Sequence, residues 1–263
     1  MFQKSKYVQS DLKNSFNEIK TLLVTGENVL LSGTPCQIAG LRCFLGESYE
    51  NLFCIEILCH GAASPGVYDD YINYLEDRFN SRVRNFVFRD KHRGKGMWRD
   101  FLTTIEFNNG TRILDCYDLY TRGFLNSLFV RESCLTCPYA CMERIGDIVI
   151  GDFWGVENFD SELYTENGVS LVIPITTKGR TIIEHLFNYM ELKEVPIQYA
   201  IDGNPVLYRP AQYNPQRDRF FEVYKEHNVY EALNMFVNRP SLFRRIASKL
   251  PESVKVILRK YKH

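Results

Sequence analysis

Four cysteines in this chain are spaced as the ligands of one metal centre would be. Cys134 and Cys137 form a C-x-x-C pair followed by proline, and the two-residue gap lets a single loop present both sulfurs. Cys36 and Cys59 each come shortly after an apolar run that predicts a strand. The thiolate is the form of cysteine that binds metals and acts as a nucleophile. Four thiols from three segments therefore predict redox chemistry within a folded α/β core.

Two kinds of centre suit four thiols, and the spacing favours an iron–sulfur cluster. Four-cysteine zinc sites usually combine two C-x-x-C pairs, and this sequence has one. Proline directly after the second cysteine is typical of ferredoxin motifs, in which it follows a cluster ligand. A structural zinc ion and four unrelated buried cysteines are the alternatives. Cys141, four residues beyond Cys137, could replace one of the ligands.

Strands alternating with helices are predicted to position these thiols. Helix signals follow the first, second and fourth of the predicted strands, which are Asn28–Ser32, Leu52–Leu58, Asp147–Ile150 and Ser170–Ile175. This alternation is typical of an α/β fold with a mainly parallel sheet flanked by helices. Sites in such sheets form at the carboxyl ends of the strands. Cys36 and Cys59 are expected at that edge.

The helix after the first strand has a well-defined predicted start. Thr34 and Gln37 have the spacing of a capping box, and Pro35 falls at the first helical position, where a missing N–H costs nothing. Cys36 is then the second residue of the helix. The unpaired N–H groups and the helix dipole at that end favour a thiolate.

Two further regions are predicted around this core. Phe101–Phe107 and Thr111–Tyr117 flank an Asn-Asn-Gly turn, which predicts a β-hairpin within a small antiparallel insert at about residues 83–120. A basic loop is expected at Arg93–Gly96, and the C-terminal third is predicted to be helical. We divide the chain into a core of residues 1–237 and a basic helical tail of residues 238–263.

Composition and charge exclude several classes of protein. The 263 residues include 32 basic and 32 acidic side chains, so the whole chain has no electrostatic reason to bind nucleic acid. No stretch of about 18 apolar residues could span a membrane, and the N-terminus lacks the apolar core of a signal peptide. We expect a cytoplasmic protein, in which the eight cysteines are poor indicators of disulfides.

The C-terminal tail is strongly basic, although the net charge of the whole chain is zero. Between Arg239 and His263 eight basic residues face one acid, Glu252, which leaves a local charge of +7. Apolar residues recur there at helical spacing, although Pro251 would divide the helix. Such a stretch can lie on the inner face of an anionic membrane, dock an acidic partner such as ferredoxin, or pack as an ordinary solvated helix.

Several motifs in order along the chain resemble the beta subunit family of coenzyme F420 hydrogenase/dehydrogenase, C-terminal domain. They most resemble its bacterial branch found with polysaccharide biosynthesis genes. The shared motifs are K-Y-V-Q-S at 6–10, S-G-T-P-C-Q-I-A-G-L at 32–41, C-H-G at 59–61, F-R-D-K at 88–91, the C-x-x-C pair, and R-I-G-D-I-V-I-G-D-F-W-G at 144–155. The resemblance implies that Cys36, Cys59, Cys134 and Cys137 ligate a [4Fe–4S] cluster, with FAD bound nearby.

The resemblance also implies an activity and partners. Electrons would pass from ferredoxin, or from an N-terminal ferredoxin module that this chain lacks, through cluster and FAD to a small organic substrate. No G-x-G-x-x-G motif is present, so the flavin site would not be a dinucleotide fingerprint. A non-catalytic electron-transfer subunit and a zinc-stabilised scaffold protein are the alternative functions.

Polar residues near these motifs are predicted to contact the flavin or substrate. A tight turn at 151–155 and the start of a helix at 177–180 could each approach a cofactor, although an ordinary turn and an ordinary capped helix explain the same patterns. His60 and Asp152 are the predicted catalytic groups. The predicted cofactor contacts are Thr34, Gln37, Arg144, Gly151, Trp154, Thr177 and Lys178.

Overall fold

The computed structural model describes residues 5–91, 102–160, 162–165 and 167–238. The predicted basic loop at Arg93–Gly96 and the tail from residue 239 onward lie outside the described residues. The boundary between core and tail therefore stays a prediction. In the part of the chain that is described, no helix is both long and apolar enough to cross a membrane.

The described strands form two sheets. The seven strands are β1 Val29–Gly33, β2 Leu52–Ile57, β3 Val83–Val87, β4 Thr103–Phe107, β5 Arg112–Asp115, β6 Ile148–Asp152 and β7 Ser170–Pro174. The larger sheet has the order β1-β2-β6-β7, in which β1, β2 and β6 are parallel and β7 is antiparallel to β6. The smaller sheet, β3-β4-β5, is antiparallel throughout. The predicted α/β class, with a mainly parallel sheet and a small antiparallel module, is confirmed.

Helices join most of the strands, and after β7 the regular structure of the described chain is helical. They are α1 Ser15–Val24, α2 Pro35–Leu45, α3 Pro65–Phe79, α4 Leu119–Leu125, α5 Glu132–Leu135, α6 Val156–Phe159, α7 Thr177–Leu186, α8 Ile197–Gly203, α9 Arg217–Glu226 and α10 Val229–Phe236, with a short 3₁₀ turn at Pro205–Leu207. Helix α1 begins only after Lys13, which adopts a positive φ of 43° that an α-helix does not contain.

Helix α2 shows how sequence and topology agree in this fold. Pro35 occupies the first helical position and Gly46 ends the helix with a φ of 74°, the left-handed conformation that glycine adopts without strain. Parallel strands need such a crossover helix between them. Because β6 joins β2 on its other side, the carboxyl ends of β1, β2 and β6 meet at one edge of the sheet. We call this the carboxyl edge.

Three apolar clusters hold the elements in place. The largest packs α3, α4, α9 and α10 against the antiparallel sheet and is rich in aromatic rings, including Tyr120, Phe129 and Phe220. A second lies among α1, α2 and the first two strands, and a third lies beneath the β6–α6 turn. Phe220 and Leu233, which lie in α9 and α10, are fully buried. The largest cluster adjoins the carboxyl edge, because Cys134 packs against it.

Candidate thiol-rich site

Cys36 is brought to the carboxyl edge by the start of α2. It is the second residue of the helix, and its sulfur lies 3.2 Å from the hydroxyl oxygen of Thr34. The predicted capping box is present, and in it the Thr34 N–H donates to Oε1 of Gln37 at 3.0 Å. Gln37 also donates to the hydroxyl of Ser10 at 2.9 Å. Gln37 therefore fixes the helix start and tethers the N-terminal segment.

Cys59 and Cys134 belong to two segments that are joined by backbone hydrogen bonds. Ala63 and Val130 form an isolated antiparallel bridge, and the N–H of Arg131 donates to the carbonyl of Ala62 at 2.8 Å. The N–H of Ala62 in turn donates to the sulfur of Cys134 at 3.4 Å. Residues separated by more than 70 positions are thus held side by side.

Gly61 makes this close approach possible. Its φ of +142° lies in a region that other residues rarely adopt. A Cβ at this position would lie 2.7 Å from Cγ1 of Val130 and 3.4 Å from Cβ of Cys134. The absent side chain therefore leaves room for the two cysteine-bearing segments to pack together.

Cys59 is a largely buried thiol with the other three predicted ligands in its surroundings. Burial raises the pKa of the Cys59 thiol to about 11, and a hydrogen bond from the Gly61 backbone acts in the opposite direction. Repulsion from the thiols of Cys134, Cys36 and Cys137 raises the pKa of Cys59 as well. Cys36, Cys134 and Cys137 are therefore neighbours of Cys59, and their role with it as one ligand set stays a prediction. In the described residues, however, no three such side chains are grouped closely enough to hold a single metal ion.

The Cys141 thiol has a partner within its own loop, because it donates to the carbonyl of Glu143 at 3.4 Å. Its replacement of one of the four ligands stays a prediction.

Arg144 anchors the loop that carries Cys137 and Cys141. Its guanidinium donates to the carbonyl oxygens of Tyr139 and Cys141 at 2.9 and 2.8 Å, and it forms an ion pair with Glu56. The two charged side chains are only 3% and 0% exposed. Glu56 also accepts from the N–H groups of residues 145 and 146 at 3.1 and 3.0 Å. Arg144, predicted as a cofactor contact, thus ties the cysteine loop to β2.

His60 has protein partners that account for its position. Its Nε2 lies 3.2 Å from the Ser127 hydroxyl, and its ring meets Phe124 edge-on at 5.4 Å. Burial lowers the pKa of His60, and a hydrogen bond to the Phe124 backbone opposes this shift. These contacts fix the orientation of the His60 ring next to Cys59, and its catalytic role stays a prediction.

Asp152 ends β6 at the carboxyl edge and is paired with Arg89. The Arg89 guanidinium donates to its carboxylate at 2.5 Å and lies over the Trp154 ring at 5.4 Å. The Arg89 side chain is 6% exposed, whereas that of Asp152 is 29% exposed. Tyr7 adjoins this pair, and burial raises its pKa while Arg89 lowers it. The cluster of Arg89, Asp152, Trp154 and Tyr7 offers polar groups at the same edge as the thiols.

Three of the predicted cofactor contacts serve other purposes. A Cβ on Gly151 would lie 2.7 Å from Cδ1 of Leu58, so that side chain fills the space expected for a ring system. Lys178 donates to the Leu52 carbonyl at 2.9 Å, at the amino end of β2. Helix α7, which contains Thr177 and Lys178, follows the antiparallel strand β7 and therefore begins at the opposite edge of the sheet from the cysteines.

Glu56 and Arg89 were not predicted as site residues. A carboxylate within the apolar strand L-F-C-I-E-I is a signal that a buried partner must exist, because an unpaired buried charge is costly. Arg89 lies in the F-R-D-K motif, but its partner Asp152 is 63 positions away. The sequence alone does not show that two residues so far apart in the chain come together.

The fold and the converging thiols define an α/β protein with a thiol-rich site at the carboxyl edge of its sheet. Residues 26–198 match the family model that describes the C terminus of the beta subunit of coenzyme F420 hydrogenase/dehydrogenase. The chain therefore belongs to this family, and membership gives it an oxidoreductase setting with a role in electron transfer. A search of curated proteins found no match.

One solved structure is similar in overall outline. A chain of the xenon-derivatised F420-reducing [NiFe] hydrogenase complex from Methanosarcina barkeri aligns over 89% of this chain and 68% of its own length. The sequence identity is 15% and the TM-score is 0.40. This overlap is too loose to inform the site.

Proposed function

We propose that this chain is an iron–sulfur flavoprotein oxidoreductase that takes electrons from ferredoxin, or from a ferredoxin module, and reduces a small organic substrate. The observation that carries the proposal is the backbone pairing that holds the segment after Cys59 against Cys134, with the Ala62 N–H donating to the Cys134 sulfur at 3.4 Å and Cys36 at the start of α2 on the same edge of the sheet. A [4Fe–4S] cluster exchanges single electrons, and FAD converts them into two-electron chemistry on an organic molecule. FAD, the ferredoxin donor and a polysaccharide-pathway substrate are proposed on the family resemblance.

The residues present suit a cluster better than a single zinc ion. Four-cysteine zinc sites usually combine two C-x-x-C pairs, whereas this sequence has one, followed by a proline as in ferredoxin cluster motifs. The N–H groups of Gly61 and Ala62 point at two of the sulfurs. Hydrogen bonds to cluster sulfurs are one means by which proteins tune the reduction potential.

The polar cluster at the same edge is the proposed place for substrate. Arg89 holds the Asp152 carboxylate, whose partial exposure leaves it able to accept a hydrogen bond from a substrate hydroxyl. Trp154 beside Arg89 provides an apolar ring face. Of the predicted cofactor contacts, Thr34 and Trp154 are placed at this edge, and we propose these two as groups near the flavin.

Anaerobic purification followed by absorbance and metal analysis tests the proposal. We expect flavin absorbance together with about four irons and about four inorganic sulfides per chain. A colourless protein that contains about one zinc per chain would contradict it and leave a structural four-thiolate site.

A further inference from the structure

We infer that a cavity beside the thiol-rich site binds the phosphate or carboxylate group of a small molecule. The cavity has a volume of about 420 Å³, within the range of small-molecule sites. Its walls come from the segment after Cys59, from the start of α5, which carries Cys134, and from α9. We call it the arginine cavity.

Two arginines provide its charge. Arg131 and Arg217 both line the arginine cavity, and they outnumber its one acidic residue, Glu132. The Arg217 guanidinium lies over the Phe221 ring at 4.8 Å, which holds it in place against α9. Guanidinium groups bind carboxylate and phosphate through paired hydrogen bonds. A site with two of them is suited to an oxyanion.

The other polar groups of the cavity are donors as well. Ser64 and Ser133 contribute hydroxyl groups. Ser64 precedes the 15-residue helix α3, and its side chain does not cap that helix. The N–H groups of the first turn, beginning after Pro65, are thus left for another acceptor. The helix dipole adds a favourable field for an anion at that end.

The position of the arginine cavity connects it with the cysteines. Ser133 directly precedes Cys134, and Ser64 donates its N–H to the Phe129 carbonyl at 3.2 Å beside the Ala63–Val130 bridge. A bound anion would therefore rest on the backbone that joins two cysteine-bearing segments. If the proposed function holds, this group would orient an anionic substrate next to the redox site, but anion binding itself requires neither cluster nor flavin.

Calorimetric titration with inorganic phosphate at constant ionic strength tests the inference. We expect one phosphate per chain, and about tenfold weaker binding when either arginine is replaced, in R131Q and R217Q, because each removes a charged hydrogen-bond donor. Glu132→Gln should bind phosphate more tightly, since it removes a repulsive charge from the wall. Arg219→Gln is the matched control, because Arg219 lies on the same helix and pairs with Glu222 outside the cavity.

The inference is tested by whether each substitution weakens or strengthens phosphate binding as predicted. Equal phosphate affinity in wild type, R131Q and E132Q, or no binding by the wild type at millimolar phosphate, would overturn the inference. If R217Q fails to fold, R131Q and E132Q still test the inference. A parallel titration with malonate distinguishes a carboxylate ligand from a phosphate ligand. Binding by a protein that contains zinc and no flavin would support the cavity and refute the redox proposal separately.

Discussion

At the scale of single residues, Gly61 and the Arg144–Glu56 pair determine how the thiols are presented. Gly61 lets the segment after β2 lie against Cys134. Arg144 holds the Cys137 loop through two carbonyls and a buried carboxylate. Gly61 and the Arg144–Glu56 pair influence the site without contacting a cofactor, because each fixes backbone that carries a cysteine.

Gly61→Ala is expected to destabilise the protein by about 1–3 kcal/mol, because it places a Cβ against Val130 in an unfavourable backbone conformation. Urea unfolding measures the change. Gly66→Ala is the control, since the nearest atom to its new Cβ would be the Tyr224 hydroxyl at 3.9 Å. That helical substitution should be neutral or stabilising by up to about 1 kcal/mol. Equal effects from both substitutions would contradict the role assigned to Gly61.

Arg144→Gln is expected to lower the free energy of unfolding by about 3–5 kcal/mol, because it leaves the fully buried Glu56 carboxylate without its partner charge. Arg219→Gln provides the comparison: its pair with Glu222 is 64% and 58% exposed, and such surface pairs contribute about 0–1 kcal/mol. Denaturant titration of both variants checks the difference. A loss below about 1 kcal/mol for R144Q would show that the loop is held by other contacts.

At the scale of elements, strand direction decides which predictions could succeed. The apolar runs located β1, β2, β6 and β7, and the signals at Thr34 and Pro35 located α2. A buried strand has the same apolar pattern in either direction, however, so nothing in the sequence showed that β7 runs antiparallel to β6. That reversal is why Thr177 and Lys178 lie at the opposite edge. Pairs such as Arg144 and Glu56, 88 positions apart, depend on register and were equally inaccessible.

Helix α4 offers a test of pH dependence. Its N-cap residue Asp118 accepts from the Thr121 N–H at 2.8 Å and from the Tyr71 hydroxyl at 2.7 Å, and burial raises the pKa of its carboxyl. Because the folded state holds this proton more tightly than the unfolded chain, the contribution of Asp118 to stability falls as pH rises above the unfolded value of about 3.9.

The free energy of unfolding of wild type minus that of Asp118→Asn should therefore decrease as pH is raised from about 4 toward 7. Urea unfolding at several pH values measures this difference and cancels the titration of the other carboxylates. A difference that rises with pH would mean that hydrogen bonds to the carboxylate outweigh its burial.

At the scale of the whole molecule, one site joins segments that are far apart in the chain. Cys36, Cys59 and the Cys134–Cys137 pair come from three places, linked by the parallel sheet and by the Ala63–Val130 bridge. The largest core packs behind Cys134, while the arginine cavity opens beside it. A ligand bound by all four thiols would therefore cross-link the fold.

Binding of iron should raise the melting temperature of the protein. We expect the anaerobic iron-loaded protein to melt at least about 4 °C above the chelator-treated protein, which for a chain of this size is roughly 1–2 kcal/mol. The reason is that ligands bound only by the folded state stabilise it, as structural metals do. Thermal unfolding under reducing, anaerobic conditions measures the shift. Identical melting temperatures would indicate that iron does not bridge the three segments.

The identity of the cysteines that hold the cluster is the central prediction, and a matched pair of variants tests it. Cys59→Ser and Cys141→Ser each remove one thiol, but the segment after Cys59 packs against Cys134, whereas the Cys141 thiol donates to the Glu143 carbonyl within its own loop. Iron analysis and electron paramagnetic resonance of the anaerobically reduced proteins should show that C59S loses the iron and the cluster signal, while C141S retains both. Full iron content in C59S, or its loss in C141S alone, would contradict the proposed ligand set.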